Sequence, residues 1–128
     1  MVAEIETDQF SLFPVANVAD IKKMRIDLNK YKKMRKTKED LEKHNHIEAL
    51  QRSDVYKRLA LMVTKIERAY NLIIDQDVKD IIAYRFIEGY DRYETICKFD
   101  LCERSIDRKI FEGIESIANT FKLWEEID

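Results

Sequence analysis

Turn-forming residues are nearly missing from this chain, which has two glycines and one proline in 128 residues. β-Hairpins need such residues at fixed offsets, so the shortage argues against an all-β fold. No apolar run approaches the roughly 20 residues that span a bilayer, and the N-terminus has no basic-then-apolar leader. The expectation is a cytoplasmic protein with no membrane partner. Cysteine is equally scarce. Cys97 and Cys102 are close in sequence and lack a secretory context, so they read as reduced thiols. His44 and His46 would complete a four-ligand set for zinc. However, an H-x-H pair on a helix points its rings in different directions, and Cys97 falls at a small buried position of a short helix. No metal site is assigned. The chain also lacks a glycine loop that would cradle phosphate, a histidine beside a nucleophile, and a His/carboxylate set at ligand spacing. Asp75 and Asp77 read as helix-start residues. The sequence therefore predicts neither an enzyme nor a cofactor.

Hydrophobic residues at 45% and charged residues at 38% fit an all-α protein with a solvated surface. The net charge of −2 is low for a nucleic-acid binder, so any phosphate-binding surface must concentrate its cations. The charge is indeed uneven. Between Ile21 and Lys43 lie Lys22, Lys23, Arg25, Lys30, Lys32, Lys33, Arg35, Lys36, Lys38 and Lys43 against few acids. Acids gather at both ends, as Glu4, Glu6 and Asp8 and as Glu125, Glu126 and Asp128. This basic run is either a solvated helix face or a surface for phosphate, with Lys32, Lys33, Arg35 and Lys36 as the candidate contacts. Composition leaves both open.

Residues 1–16 show no helical period and read as a tail. Its Phe10, Leu12 and Phe13, ahead of Pro14, either tuck against the body or dock a partner. Residues 17–74 form a Lys-rich helical region. A first helix over 16–36 places Ile21, Met24, Leu28 and Tyr31 on one side, and Thr37 reads as the cap of a new segment striped by Leu41, Ile47 and Leu50. Ser53-Asp54 is a fresh cap. Beyond it, Val55, Leu59, Met62, Val63, Ile66, Ala69, Tyr70 and Ile73 form a strong amphipathic pattern, which suits a core strut or a homodimer face. The break at Asp75-Gln76-Asp77 opens the last unit, residues 75–128.

That unit reads as three helices with tight breaks. Ile81, Ile82, Arg85 and Phe86 recur at helical spacing up to Gly89, a natural left-handed stop. A short helix over 92–99 offers Tyr93, Ile96 and Cys97 as inward residues. Asp100-Leu101 turns the chain, and a third helix from about Cys102 buries Ile106, Ile110, Ile114 and Ile117, with Gly113 beside them. Trp124 near its end is expected to pack on a neighbouring helix or a second subunit. Two short helices joined by such a turn are the unit that places the second helix in a DNA major groove.

These residues also carry a family resemblance. Tyr84-Arg85-Phe86-Ile87-Glu88-Gly89-Tyr90, then Glu94-Thr95-Ile96, then Leu101 through Ile110, resembles sigma-70 region-4-like helix-turn-helix domains. Among small chains, the ending is most similar to the ArpU/RinA-type late transcription regulators of phages. The likeness covers about the last third to two-fifths of the chain. It departs from the pattern at Cys102, where Ser or Thr is usual, and at Asp100, where glycine is common; the spacing from Ile96 to Leu101 is also one residue short. Asp100 and Glu103 would restore the lost cap as a capping box.

The resemblance implies a helical N-terminal extension packed with a C-terminal sigma region-4-like domain, at work in a bacterial host cell. With the isoleucines inward, the face opposite them carries Glu103, Arg104, Asp107 and Arg108, with Ser105 at its margin and Lys109 alongside. Arg104 and Arg108 are one helical turn apart and suit guanine, while Glu103 or Asp107 could accept from cytosine or hold an arginine. Arg92 and Tyr93 begin the scaffold helix, where phosphate is commonly met. The implied partners are double-stranded DNA and, for a late-gene activator, host RNA polymerase. Two other functions fit the same shape, namely a module that docks on RNA polymerase or a sigma factor, and the small DNA-recognition subunit of a phage packaging terminase.

Overall fold

The computed structural model describes residues 14–127, and all regular structure within them is helical. The aromatic tail residues Phe10 and Phe13 and their neighbour Leu12 lie outside the described residues.

Helix α1 runs Val18–His44. It starts at a capping box, with the Asn17 side chain accepting from the Asp20 N–H at 2.8 Å and Asp20 Oδ2 accepting from the Asn17 N–H at 3.0 Å. Met24, Leu28 and Tyr31 are buried as their spacing predicts, and Ile21 packs partly against them. The expected break at Thr37 does not occur. Thr37 Oγ1 instead donates to the Lys33 carbonyl at 2.8 Å, a bond compatible with an uninterrupted helix. Nothing in the following Lys-Glu-Asp-Leu-Glu-Lys run opposes helix, and a Lys38–Glu42 ion pair at 2.9 Å supports it. The helix ends at extended Asn45, whose side-chain amide donates to the Leu41 carbonyl at 3.0 Å.

The stripe drawn through Leu41, Ile47 and Leu50 is thereby split. Leu41 is half-buried on α1, whereas short α2 (Ile47–Arg52) buries Leu50 and leaves Ile47 exposed. Helix α3 (Asp54–Asn71) begins where Ser53 Oγ accepts from the Tyr56 N–H at 3.2 Å. Val63, Ile66 and Ala69 are buried, and Ile73 follows them into the core. Val55, expected on the same stripe, is 66% exposed in the first turn.

Helix α4 (Gln76–Ile82) is capped by Asp75, which accepts from the Val78 N–H at 3.1 Å. Its continuation, Ala83–Ile87, widens to π geometry, closed by the Glu88 N–H on the Ala83 carbonyl at 2.8 Å. Gly89 stops it at φ +88°, in the left-handed region that glycine enters at little cost. Val78, Ile81, Ile82 and Phe86 are buried.

Helix α5 (Arg92–Phe99) opens on a second capping box, between Asp91 and Glu94. Thr95 is fully buried, with Ile96 and Phe99 packed partly against the core. Two inward assignments are corrected here. Tyr93 is 73% exposed and Cys97 is exposed. These two residues are four apart and share a face, and Thr95 and Phe99 occupy the opposite one.

Helix α6 spans Glu103–Ile127. Ile106, Ile110, Gly113, Ile114, Ile117 and Ala118 form its buried stripe. Phe121 and Trp124 extend that stripe, and Trp124 packs on α3, where the Arg68 guanidinium lies 4.5 Å from its ring centroid. One hydrophobic cluster joins residues on both sides of position 75. α1 packs against α3, α6 and the π turn, and α4 packs against α6. Two polar ties fasten the entry to α1 to α6: Lys122 pairs with Asp20 at 3.0 Å, and the Ala16 N–H donates to Asn119 Oδ1 at 2.7 Å.

Candidate nucleic-acid interface

The corner between α5 and α6 is built from local capping chemistry. Asp100 closes α5 in a left-handed conformation, φ 52° and ψ 38°. It therefore does not form the expected capping box with Glu103. The cap position belongs to Cys102, whose carbonyl accepts from the Ile106 N–H at 3.1 Å and whose Sγ lies 3.2 Å from Ser105 Oγ. The Ser105 hydroxyl and backbone N–H, with the Arg104 N–H, hold the Cys102 thiol below the usual cysteine range. Behind the corner, Tyr84 stacks on Tyr90 with ring centroids 4.2 Å apart and meets the edge of Phe99 at 5.7 Å. This aromatic trio braces the turn that leads into α5.

An ion cluster spans the corner. Arg92, at the start of α5, donates through Nε to Asp107 Oδ1 at 2.7 Å and through Nη2 to Asp107 Oδ2 at 2.8 Å. The same Nη2 also reaches Glu103. The hydrogen bonds to Asp107 and Glu103 raise the Arg92 pKa further above its ordinary value. In return, Arg92 holds Asp107 below the usual carboxylate range, aided by the charge of Arg25 on α1. Bidentate Arg–carboxylate geometry fixes orientation as well as distance. It thus pins the first turn of α6 to the first turn of α5.

The eight residues expected to meet DNA consequently fall into different roles. Arg92, Glu103 and Asp107 are engaged with one another across the corner. Arg104 and Arg108 are exposed on the face away from the isoleucine stripe; Arg108 has Glu112 as a distant partner at 3.8 Å. Tyr93 stands in solvent on α5, and Ser105 and Lys109 are half-buried at the margins of α6. Of the four expected phosphate contacts, Lys32, Lys33 and Lys36 line one cleft, whereas Arg35 lies over the Tyr31 ring, 5.6 Å from its centroid.

Sequence reasoning missed Arg85, Asn29 and Gly89, which complete that cleft. In the sequence Arg85 stands out only by its helical spacing with Ile81, Ile82 and Phe86 and by its place in the family resemblance. An arginine at helical spacing with core residues is itself a signal, because a half-buried guanidinium still seeks acceptors. Here it donates to the Tyr90 carbonyl at 3.1 Å and to Asn29 Oδ1 at 3.3 Å.

Among the described residues no group of three or more His, Cys, Asp or Glu is placed to hold a metal ion, and no helix is long and apolar enough to cross a membrane. No protein-family model, no curated protein and no solved structure matches the chain.

Proposed function

We propose that this protein is a sequence-specific DNA-binding regulator of transcription that reads double-stranded DNA with the first turns of α6. One observation carries the reading. Beyond a tight two-helix corner, the leading helix end exposes Arg104 and Arg108 one turn apart, while its other face is fixed in the core by Ile106, Ile110 and Ile114. A bidentate arginine–guanine contact discriminates by about 1–3 kcal/mol, so two of them would contribute base preference at two positions of a longer site. Arg92 holds Glu103 and Asp107 back towards α5, which partly neutralises carboxylates that would otherwise repel phosphate. The finer reading is of a phage late-gene activator that works with host RNA polymerase in the bacterial cytoplasm. It rests on the likeness of residues 84–110 to sigma-70 region-4-like domains.

The test is selection of bound fragments from sheared source-genome DNA, with wild type and the double variant Arg104→Ala/Arg108→Ala in parallel. Wild type should enrich a discrete site. The variant should lose that preference and keep salt-sensitive background binding. If neither protein enriches any site, autonomous DNA reading is wrong, and direct capture of RNA polymerase becomes the next measurement.

A further inference from the structure

The cleft between α1 and the π turn has a volume of about 390 Å³, within the range of small-molecule sites. Four cations line it (Lys32, Lys33, Lys36 and Arg85), together with the polar side chains of Asn29 and Thr37, and its wall contains no carboxylate. Four cations facing one concave wall with no carboxylate raise the local positive potential there, which favours entry of an anion. Leu28 and Phe86 supply an apolar part of the wall, which lowers the local dielectric and strengthens attraction for a bound anion.

Two of the cations are held in place. Arg85 is fixed through Tyr90 and Asn29, which engage only part of its five-donor fork. The Lys32 side chain lies across Gly89, its Cδ only 2.5 Å from where a Cβ would stand at that glycine and its Nζ 3.2 Å away. The missing side chain at Gly89 therefore makes room for Lys32 at the cleft mouth. Lys33 and Lys36 are exposed and free to close over a ligand. Positions 29, 32, 33 and 36 share one face of α1 by helical spacing. Arg25 lies one turn before Asn29 on that face, and its charge is felt at Asp107. The positive strip thus runs from the cleft towards the α5–α6 corner.

We propose that this cleft is a phosphate-binding site that holds a phosphate group between Arg85 and the lysines of α1. The continuity of the strip with the corner favours the DNA backbone as the source of that phosphate, a point that rests on the DNA-binding reading above. A free phosphorylated small molecule offers the same chemistry.

Two measurements on the full chain separate these sources. The first titrates inorganic pyrophosphate by calorimetry into wild type, Lys32→Gln/Lys36→Gln, Lys33→Gln/Lys36→Gln and Arg104→Ala/Arg108→Ala. The second follows binding of a mixed-sequence duplex across a salt series with the same four proteins. Thermal melts confirm that each variant is folded. Pyrophosphate should bind wild type and the Arg104/Arg108 variant alike and bind both lysine variants at least about tenfold more weakly, as expected when a charged partner is lost. With DNA as the source, each lysine variant should also flatten the dependence of log affinity on log salt by about 1–2, one contact per lysine. If the salt slope is unchanged while pyrophosphate binding falls, the source is a free phosphorylated molecule. The proposal is overturned if both lysine variants match wild type in both titrations. Failure to enrich a genomic site would remove the DNA-reading function yet leave the pyrophosphate result standing, so the two ideas fail separately.

Discussion

A Cβ built on Gly113 would stand 2.2 Å from Cγ1 and 2.4 Å from Cδ1 of Ile82, so α6 and α4 touch at a point where only hydrogen fits. Replacing a mid-helix glycine by alanine ordinarily stabilises by about 0.5–1 kcal/mol. Here Ile82 is buried and its rotamer is enclosed, so overpacking at about 1–3 kcal/mol wins. Gly113→Ala should lower stability by about 1–2 kcal/mol in urea denaturation. In the Ile82→Ala background the same change should cost nothing or help. An equal loss in both backgrounds would mean that the contact is not what constrains position 113.

Asp100 makes a backbone prediction. At φ 52° it is the only described non-glycine residue with positive φ. Aspartate tolerates that region better than most L-residues, and a β-branched side chain tolerates it poorly. Asp100→Gly should leave stability unchanged or raise it by up to about 1 kcal/mol, and Asp100→Val should lower it by about 1–2 kcal/mol. Thermal melts decide between them. A valine variant as stable as wild type would show that the corner does not require the left-handed turn.

The Arg92–Asp107 pair predicts a particular acid response. Asp107 titrates below its ordinary 3.8 because the Arg92 hydrogen bonds favour its charged form. The stability from this pair is therefore whole above pH 3.8 and disappears as pH falls through the lowered value. Asp107→Asn should flatten that limb of the stability-versus-pH curve, and carboxyl NMR should place the wild-type titration below 3.8. A wild-type titration at or above the ordinary value would rule out the clamp in solution.

Tyr31 acts at the opposite end of the scale. Its buried hydroxyl donates to Glu67 Oε2 at 2.5 Å, and burial followed by that carboxylate pushes the phenol up to about 12. The protonated phenol is thus the form favoured by folding. Its contribution is complete below the ordinary value of 10.0 and is lost as pH rises through about 12. Tyr31→Phe should cost about 1 kcal/mol at neutral pH. It should also remove a late component from the alkaline absorbance titration of the tyrosines. An unaltered titration would assign that component to another ring.

What the sequence disclosed was mainly local or periodic. Ile106, Ile110, Ile114 and Ile117 repeat with the helix, and Ser53 and Asp75 cap the turns directly after them, so both signals sit within a few residues. Thr37 could not be placed that way, because threonine serves equally as a cap or as a mid-helix donor to the preceding turn. Helix α5 has apolar residues on both faces, and only its tertiary partners show that Thr95 and Phe99, not Tyr93 and Cys97, face inward. The family pattern expects glycine near position 100. Asp100 stands there instead, in the left-handed conformation that glycine enters most readily. Least legible were the charge constellations: Arg92 lies 15 positions from Asp107, and Arg85 lies 56 from Asn29, distances no local pattern reports.

Helix α1 has 27 residues and, at 1.5 Å per residue, is a rod about 40 Å long. Leu28 shares a wall with Phe86, and Met24 lines a hollow with Met62, Ala118 and Phe121. The rod therefore works as a splint, set against α3 and α6 alike. Residues 75–127 are for that reason no cassette that could be cut out and carried to another protein, since the excised piece would lose a supporting wall.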